Sequence, residues 1–209
     1  MIKLLGSIIG VALVGAGFVF NAHEVVKPVA GYEIGDFAED FTLKNIDGNM
    51  VSLSDYQDEK GVVVIFTCNS CPYAKMYEDR IIALHEQYKE KGYPVLAIMP
   101  NDVTLKPEDS FPEMKKRAME KSYGFPYVLD ETQEVARTFG ATKTPHVYLL
   151  DNSDNEFEVA FIGAIDNNPR DSEKADVKYV ENAIAELLDG KPVTKTTAVA
   201  IGCTIKWSK

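Results

Sequence analysis

The chain has 209 residues, 45% of them hydrophobic, enough for one substantial core and too few for two average domains with a tail. Its 32 acidic residues outnumber its 22 basic ones for a formal charge of -10, and no Lys/Arg cluster stands out that could track a phosphate backbone, which argues against nucleic acid as a partner. Three cysteines cannot all pair with one another, so at least one is free, reactive or bonded between molecules.

The chain opens Met-Ile-Lys and then runs from Leu4 to Phe20 without a charge, the pattern of an export signal. Residues 1–22 are read as a signal peptide. Phe20 stands third before a cut after Ala22, where a small residue is preferred, so an uncleaved N-terminal anchor is the alternative. Four glycines (Gly6, Gly10, Gly15, Gly17) weaken the run as a membrane helix, and its 17 residues fall short of the roughly 20 that cross a bilayer. Both readings leave Lys3 on the cytoplasmic side and place the remainder in the periplasm or beyond, with membrane contact only if the segment is uncleaved.

Residues 23–34 read as a connector and 35–209 as a single domain. Phe41 to Leu43 and Met50 to Leu53, around Asp47-Gly48-Asn49, predict a β-hairpin. Val62 to Phe66 and Val95 to Met99 are continuous apolar runs, as in strands buried on both faces, and Tyr77, Ile81, Leu84 and Tyr88 between them mark a helix from Pro72 to about Lys91, stopped by Gly92. Residues 101–112 read as a loop, followed by a short helix from Glu113 to Lys121 with a solvated charged face and a strand from Tyr127 to Leu129. Asp130, with Gln133 in the capping-box position, opens a helix that Gly140 ends. Val147 to Leu150 and Glu158 to Ile162 form a second hairpin around Asp151 to Asn155, and a final helix spans about Ser172 to Asp189, carrying Val177, Val180, Ile184, Leu187 and Leu188.

The chemistry concentrates in Cys68-Asn69-Ser70-Cys71, at the junction of a strand and a helix. Two thiols at this spacing can close a disulfide, and a helix N-terminus favours thiolate over thiol. Cys68 is expected to attack and Cys71 to resolve the mixed disulfide. The same pair could be half of a zinc site, but the only further ligands are Cys203, His23, His85 and His146, none in a paired spacing. Pro72 stands where haem attachment needs histidine, and no cofactor or metal is expected. Thr144-Pro145, just before a strand, is the second feature, since X-Pro is the bond at which cis is cheap.

The order strand, Cys-x-x-Cys-Pro, helix, strand, helix, Thr-Pro, hairpin, helix resembles the thioredoxin fold: α/β, a central mixed sheet flanked by helices, here with an N-terminal hairpin extension. That resemblance implies a cis Pro145 beside the disulfide and a substrate-binding role for Thr144 and Pro145. Gly35 to Leu43, with Asp47-Gly48 and Val51-Ser52-Leu53, looks like the opening of the alkyl hydroperoxide reductase and thiol-specific antioxidant (redoxin) branch. Phe66 to Tyr73, Asn101-Asp102, Asp130 to Gln133 and Gly202 to Trp207 resemble a peroxiredoxin-like subgroup that carries a Cys-x-x-Cys motif. A peroxidatic Pro-x-x-x-Thr-x-x-Cys loop is missing, because Gly61 and Ile65 occupy its Pro and Thr positions before Cys68. Val62 likewise replaces the buried acid of thioredoxin, so proton handling at Cys71 needs another group or water.

The reading that follows is an exported thiol-disulfide oxidoreductase acting on protein or small-molecule thiols and disulfides with an unidentified redox partner. A thiol peroxidase is the first alternative and a non-enzymatic metal or partner carrier the second. Cys203 is either a second resolving thiol that reaches the centre or a small buried residue, with burial favoured; His85 is expected to edge a buried face, His146 to lie outside the site, and Lys206 and Trp207 to pack the tail down.

Overall fold

The computed structural model describes residues 31–209; the signal segment and most of the connector lie outside the described residues. A seven-stranded sheet in the order β2-β1-β5-β4-β3-β7-β8 organises the fold. At its centre β3 (Gly61–Phe66), β4 (Val95–Met99) and β5 (Tyr127–Leu129) run parallel, while β7 (His146–Ser153) lies antiparallel to β3 and β8 (Glu156–Gly163) antiparallel to β7. At the other edge the hairpin of β1 (Thr42–Asn45) and β2 (Met50–Ser52) joins antiparallel to β5. The mixed sheet and the hairpin extension agree with the sequence reading.

The apolar runs of β3 and β4 serve two cores at once, because neighbouring side chains of a strand point to opposite faces. Val63, Ile65, Val95, Ala97 and Met99 face one core, closed by α1 (Pro72–Tyr88), α2 (Phe111–Lys121) and α4 (Tyr179–Leu188). Val62, Val64, Phe66, Leu96 and Ile98 face the other, closed by α3 (Glu134–Phe139) and by Leu53 and Tyr56. On α1 the side chains of Tyr77, Ile81, Leu84 and Tyr88 are all buried, as their spacing predicts. A 3-10 turn, Lys89–Lys91, ends that helix at Gly92, whose φ of 89° suits glycine.

Several boundaries differ from expectation. Helix α2 starts at Phe111, ahead of the predicted Glu113, because Pro112 fits a first helical turn, where its missing N–H costs nothing. The last helix begins at Tyr179, not Ser172. Asn167 holds Val177 outside it: the Asn167 amide donates to the Val177 carbonyl at 3.0 Å and the Val177 amide to Asn167 Oδ1 at 3.2 Å. Asp130 and Gln133 form no capping box. Asp130 Oδ2 accepts from the Ala136 amide at 2.8 Å, whereas Gln133, at φ 62°, sends Nε2 to the carbonyls of Pro100 and Lys206 at 2.6 and 2.8 Å. The second hairpin is longer than predicted and turns on Asp154 and Asn155 alone. A two-stranded ladder escaped the sequence reading: β6 (Lys143–Thr144) pairs antiparallel with β9 (Cys203–Thr204).

Candidate active site

The strand β3 delivers the chain to Thr67, and Cys71 then occupies the N-cap of α1 with Pro72 in its first turn. The four-residue loop is held from the side by residues 101–109. Asp109, fully buried, accepts the Ser70 amide on Oδ1 at 2.8 Å and the Ser70 hydroxyl on Oδ2 at 2.7 Å. Asn101 Nδ2 donates to the same Oδ2 at 2.8 Å. Asn69 donates to the Glu108 carbonyl at 3.0 Å and accepts the Tyr127 hydroxyl at 3.1 Å. The segment read as a plain polar loop is therefore the mould of the Cys68–Cys71 turn.

Across the turn lies Thr144, joined to Pro145 by a cis peptide bond. Its Oγ1 is 3.2 Å from Cys68 Sγ, and its carbonyl accepts the Cys71 thiol at 3.2 Å. All four residues singled out from sequence, Cys68, Cys71, Thr144 and Pro145, thus meet in one place. Ser70 Oγ stands farther from Cys68 Sγ, at 3.9 Å. The two cysteines are 3% and 2% exposed, so the sulfurs are covered rather than presented.

Much of that cover is the C-terminal tail. Thr144 pairs with Cys203 in the β6–β9 ladder, and the Cys203 amide donates to Cys71 Sγ at 3.4 Å. Gly202 makes the approach possible: a Cβ there would stand 2.2 Å from the Thr144 carbonyl oxygen. Beyond it, the Lys206 amide donates to Asn101 Oδ1 at 2.9 Å and the Ser208 amide to Gln133 Oε1 at 2.7 Å. Trp207 packs on the core with Arg137 over its ring at 4.4 Å. The tail packs down as expected, but Cys203 is half-buried and its amide reaches Cys71 Sγ, so the favoured reading of a fully buried residue does not hold.

The two thiols titrate as a pair. The first proton leaves below the ordinary thiol range and the second is held above it, because the sulfur that stays protonated donates to the charged one. The Cys68 thiol, the Cys203 thiol and the amides of Ala74 and Cys203 favour the charge on Cys71 against the cost of its burial. Cys68 keeps its proton: besides the bond to Cys71, burial and the Asp109 carboxylate oppose its thiolate, and the Thr144 hydroxyl favours it. The sequence expectation put the helix-start effect on Cys68, whereas Cys71 is the residue at the cap. An attack by Cys68 would require its proton to pass to Cys71, whose S–H would then have the Thr144 carbonyl to bond.

The two described histidines bond to backbone amides. His85 Nδ1 accepts the Val95 amide at 3.2 Å inside the core. His146 Nδ1 accepts the Thr142 amide at 3.4 Å, and its ring lies against Tyr148 at 4.9 Å. Among the described residues no group of three or more His, Cys, Asp or Glu side chains could hold a metal ion, and no helix is long and apolar enough to cross a membrane.

Residues 34–155 match the AhpC/TSA family. A curated relative, thiol-disulfide oxidoreductase ResA of Bacillus thuringiensis subsp. konkukian, is 25% identical over 119 residues, covering 57% of this chain and 64% of the relative. The match thus spans somewhat under two thirds of that relative's length. Among solved structures, an uncharacterised conserved protein of Geobacillus kaustophilus superposes with a TM-score of 0.78 at 37% identity, covering 86% of this chain and 94% of the other. A hypothetical protein of Sinorhizobium meliloti gives the same TM-score at 31% identity, covering 85% and 96%.

Proposed function

The chain belongs to the AhpC/TSA family, and on that footing we propose that it is a thiol-disulfide oxidoreductase in which Cys68 and Cys71 cycle between dithiol and disulfide. The observation that carries the reading is the seating of both sulfurs on one residue, Thr144, through its hydroxyl and its carbonyl. Reduction of a partner disulfide starts when Cys68 passes its proton to Cys71 and attacks one partner sulfur, expelling the other as a thiolate. Cys71, deprotonated in turn, attacks Cys68 Sγ, closes the Cys68–Cys71 disulfide and releases the second partner thiol. Run backwards, the same steps oxidise a partner dithiol. No carboxylate hydrogen-bonds either sulfur among the described residues, and the Thr144 carbonyl is the acceptor for the Cys71 S–H once the proton has moved there from Cys68.

Substrates in this reading are protein or small-molecule thiols and disulfides, met outside the cytoplasm after export directed by residues 1–22. Thr144 and Pro145 remain the substrate-binding residues; both are buried and Cys203 occupies the main-chain edge at Thr144, so a substrate reaches them once the tail moves aside. The relatives named oxidoreductases favour this reading over a peroxidase, and the positions where a peroxidatic loop needs Pro and Thr, Gly61 and Ile65, are both inside β3.

The test is equilibration of the protein in glutathione or dithiothreitol buffers, with alkylation of the remaining thiols. A reversible two-electron transition between roughly -270 and -120 mV is expected, and its value distinguishes a reductase from an oxidase. Failure to form any disulfide at Cys71 under oxidising buffer would sink the reading.

A further inference from the structure

Cys68 and Cys71 are covered to 3% and 2% exposure, yet the residue that covers them is itself a cysteine, half-buried and open at one side. Three observations place Cys203 there by construction. It is the cross-strand partner of Thr144, the residue both sulfurs touch. Its amide donates to Cys71 Sγ at 3.4 Å. Its neighbour Gly202 is the one residue type that lets the strand lie on the Thr144 carbonyl, since a side chain there would meet backbone at 2.2 Å.

We propose that Cys203 is a third redox thiol of this site, which takes over Cys71 from the Cys68–Cys71 disulfide and brings the oxidised bond to the protein surface. The inference rests on the Cys68–Cys71 cycle proposed above. The Cys203 thiolate attacks Cys71 Sγ, a Cys71–Cys203 bond forms, the Cys68–Cys71 bond breaks, and Cys68 leaves as a thiolate that takes up the proton Cys203 gave away. Nothing is oxidised or reduced overall; the disulfide changes places.

Burial and the neighbouring Cys71 hold the Cys203 thiol above its ordinary range, while Lys206 and Lys106 favour its thiolate. Once Cys71 is in a disulfide its charge is gone, and the opposition to the Cys203 thiolate weakens at the stage when it must attack. Partners would then meet the half-exposed Cys203, and the buried pair would exchange with them through it.

The Cys68→Ser variant tests this, because it leaves Cys71 and Cys203 as the only thiols. In oxidised glutathione, which takes up the two electrons, the expected result is loss of both free thiols in the monomer, with a disulfide linking tryptic peptides 61–75 and 196–206. In Cys71→Ser, where Cys68 and Cys203 remain, no such link is expected. If wild type forms its Cys68–Cys71 disulfide but Cys68→Ser keeps Cys71 and Cys203 as separate thiols or separate glutathione adducts, the third-thiol inference falls and the oxidoreductase reading stands. If wild type forms no disulfide at Cys71, with either Cys68 or Cys203, both fall together.

Discussion

Asp109 grips Ser70 with both carboxylate oxygens, one on the amide at 2.8 Å and one on the hydroxyl at 2.7 Å, and so fixes the turn between the two cysteines from 39 residues away. Because the carboxylate is fully buried, its charge reaches Cys68 through little solvent and opposes the thiolate there. Structure and reactivity are coupled at this residue.

Asp109→Asn keeps the shape and removes the charge. Cys68 is expected to alkylate faster at a given pH, since the thiolate loses its opponent, while the fold loses about 1.5–3 kcal/mol as a charged acceptor is replaced. Iodoacetamide rates against pH and urea unfolding check the two halves separately. Unchanged rates at Cys68 would reduce Asp109 to scaffolding.

Thr144→Val removes the hydroxyl 3.2 Å from Cys68 Sγ and leaves the carbonyl that serves Cys71. Attack by Cys68 on a small aromatic disulfide is expected to slow about tenfold, the equivalent of roughly 1.4 kcal/mol for one hydrogen bond to a developing thiolate. Stopped-flow absorbance of the released thiol measures it, and a rate equal to wild type would remove the hydroxyl from the mechanism.

His146 is held neutral by its surroundings, its pKa lowered to about 4 by desolvation. The unfolded chain binds that proton near pH 6.5, so between about pH 6.5 and 4 the unfolded state carries more protons and stability falls as pH is lowered. Below pH 4 this contribution levels off. Thermal melts across that window are expected to show a smaller decline for His146→Gln than for wild type, and parallel curves would contradict the assignment.

Gly202→Ala sets a methyl group against the Thr144 carbonyl, and either the tail or the Thr144 segment must give way. A loss of about 1–3 kcal/mol is expected, the range for overpacking. The protein's single tryptophan reports the cause, since Trp207 sits in the same tail under Arg137. A red-shifted emission with faster maleimide labelling of Cys203 is the expected pair of signals, and an unshifted spectrum would mean the tail stays docked.

How much of this was legible in the sequence follows from the range of each signal. Strands β3 and β4 and helix α1 were readable because burial imposes a period on the sequence itself: Tyr77, Ile81, Leu84 and Tyr88 repeat as a helix repeats. The dithiol and Thr144-Pro145 were readable as short motifs, and the fold brings them together. Asp109 has no fixed spacing from Cys68 and no local pattern, and only the folded chain brings its carboxylate to Ser70. The β6–β9 ladder is two residues long on each side, too short to show any alternation. Val177 misled for the opposite reason: it fits the helical period of α4, but Asn167 pairs with its backbone and keeps it out.

The tail that closes the site also orders events in time. Cys71 and Cys203 are 132 residues apart in the chain, so at about 5–20 residues per second the ribosome makes the dithiol roughly 7–26 s before its cover. During that interval the two sulfurs exist without the strand that shields them and without the third thiol beside them. A chain delivered N-terminus first therefore passes through a stage in which Cys68 and Cys71 lack their cover, and the tail can dock only after the last residues arrive.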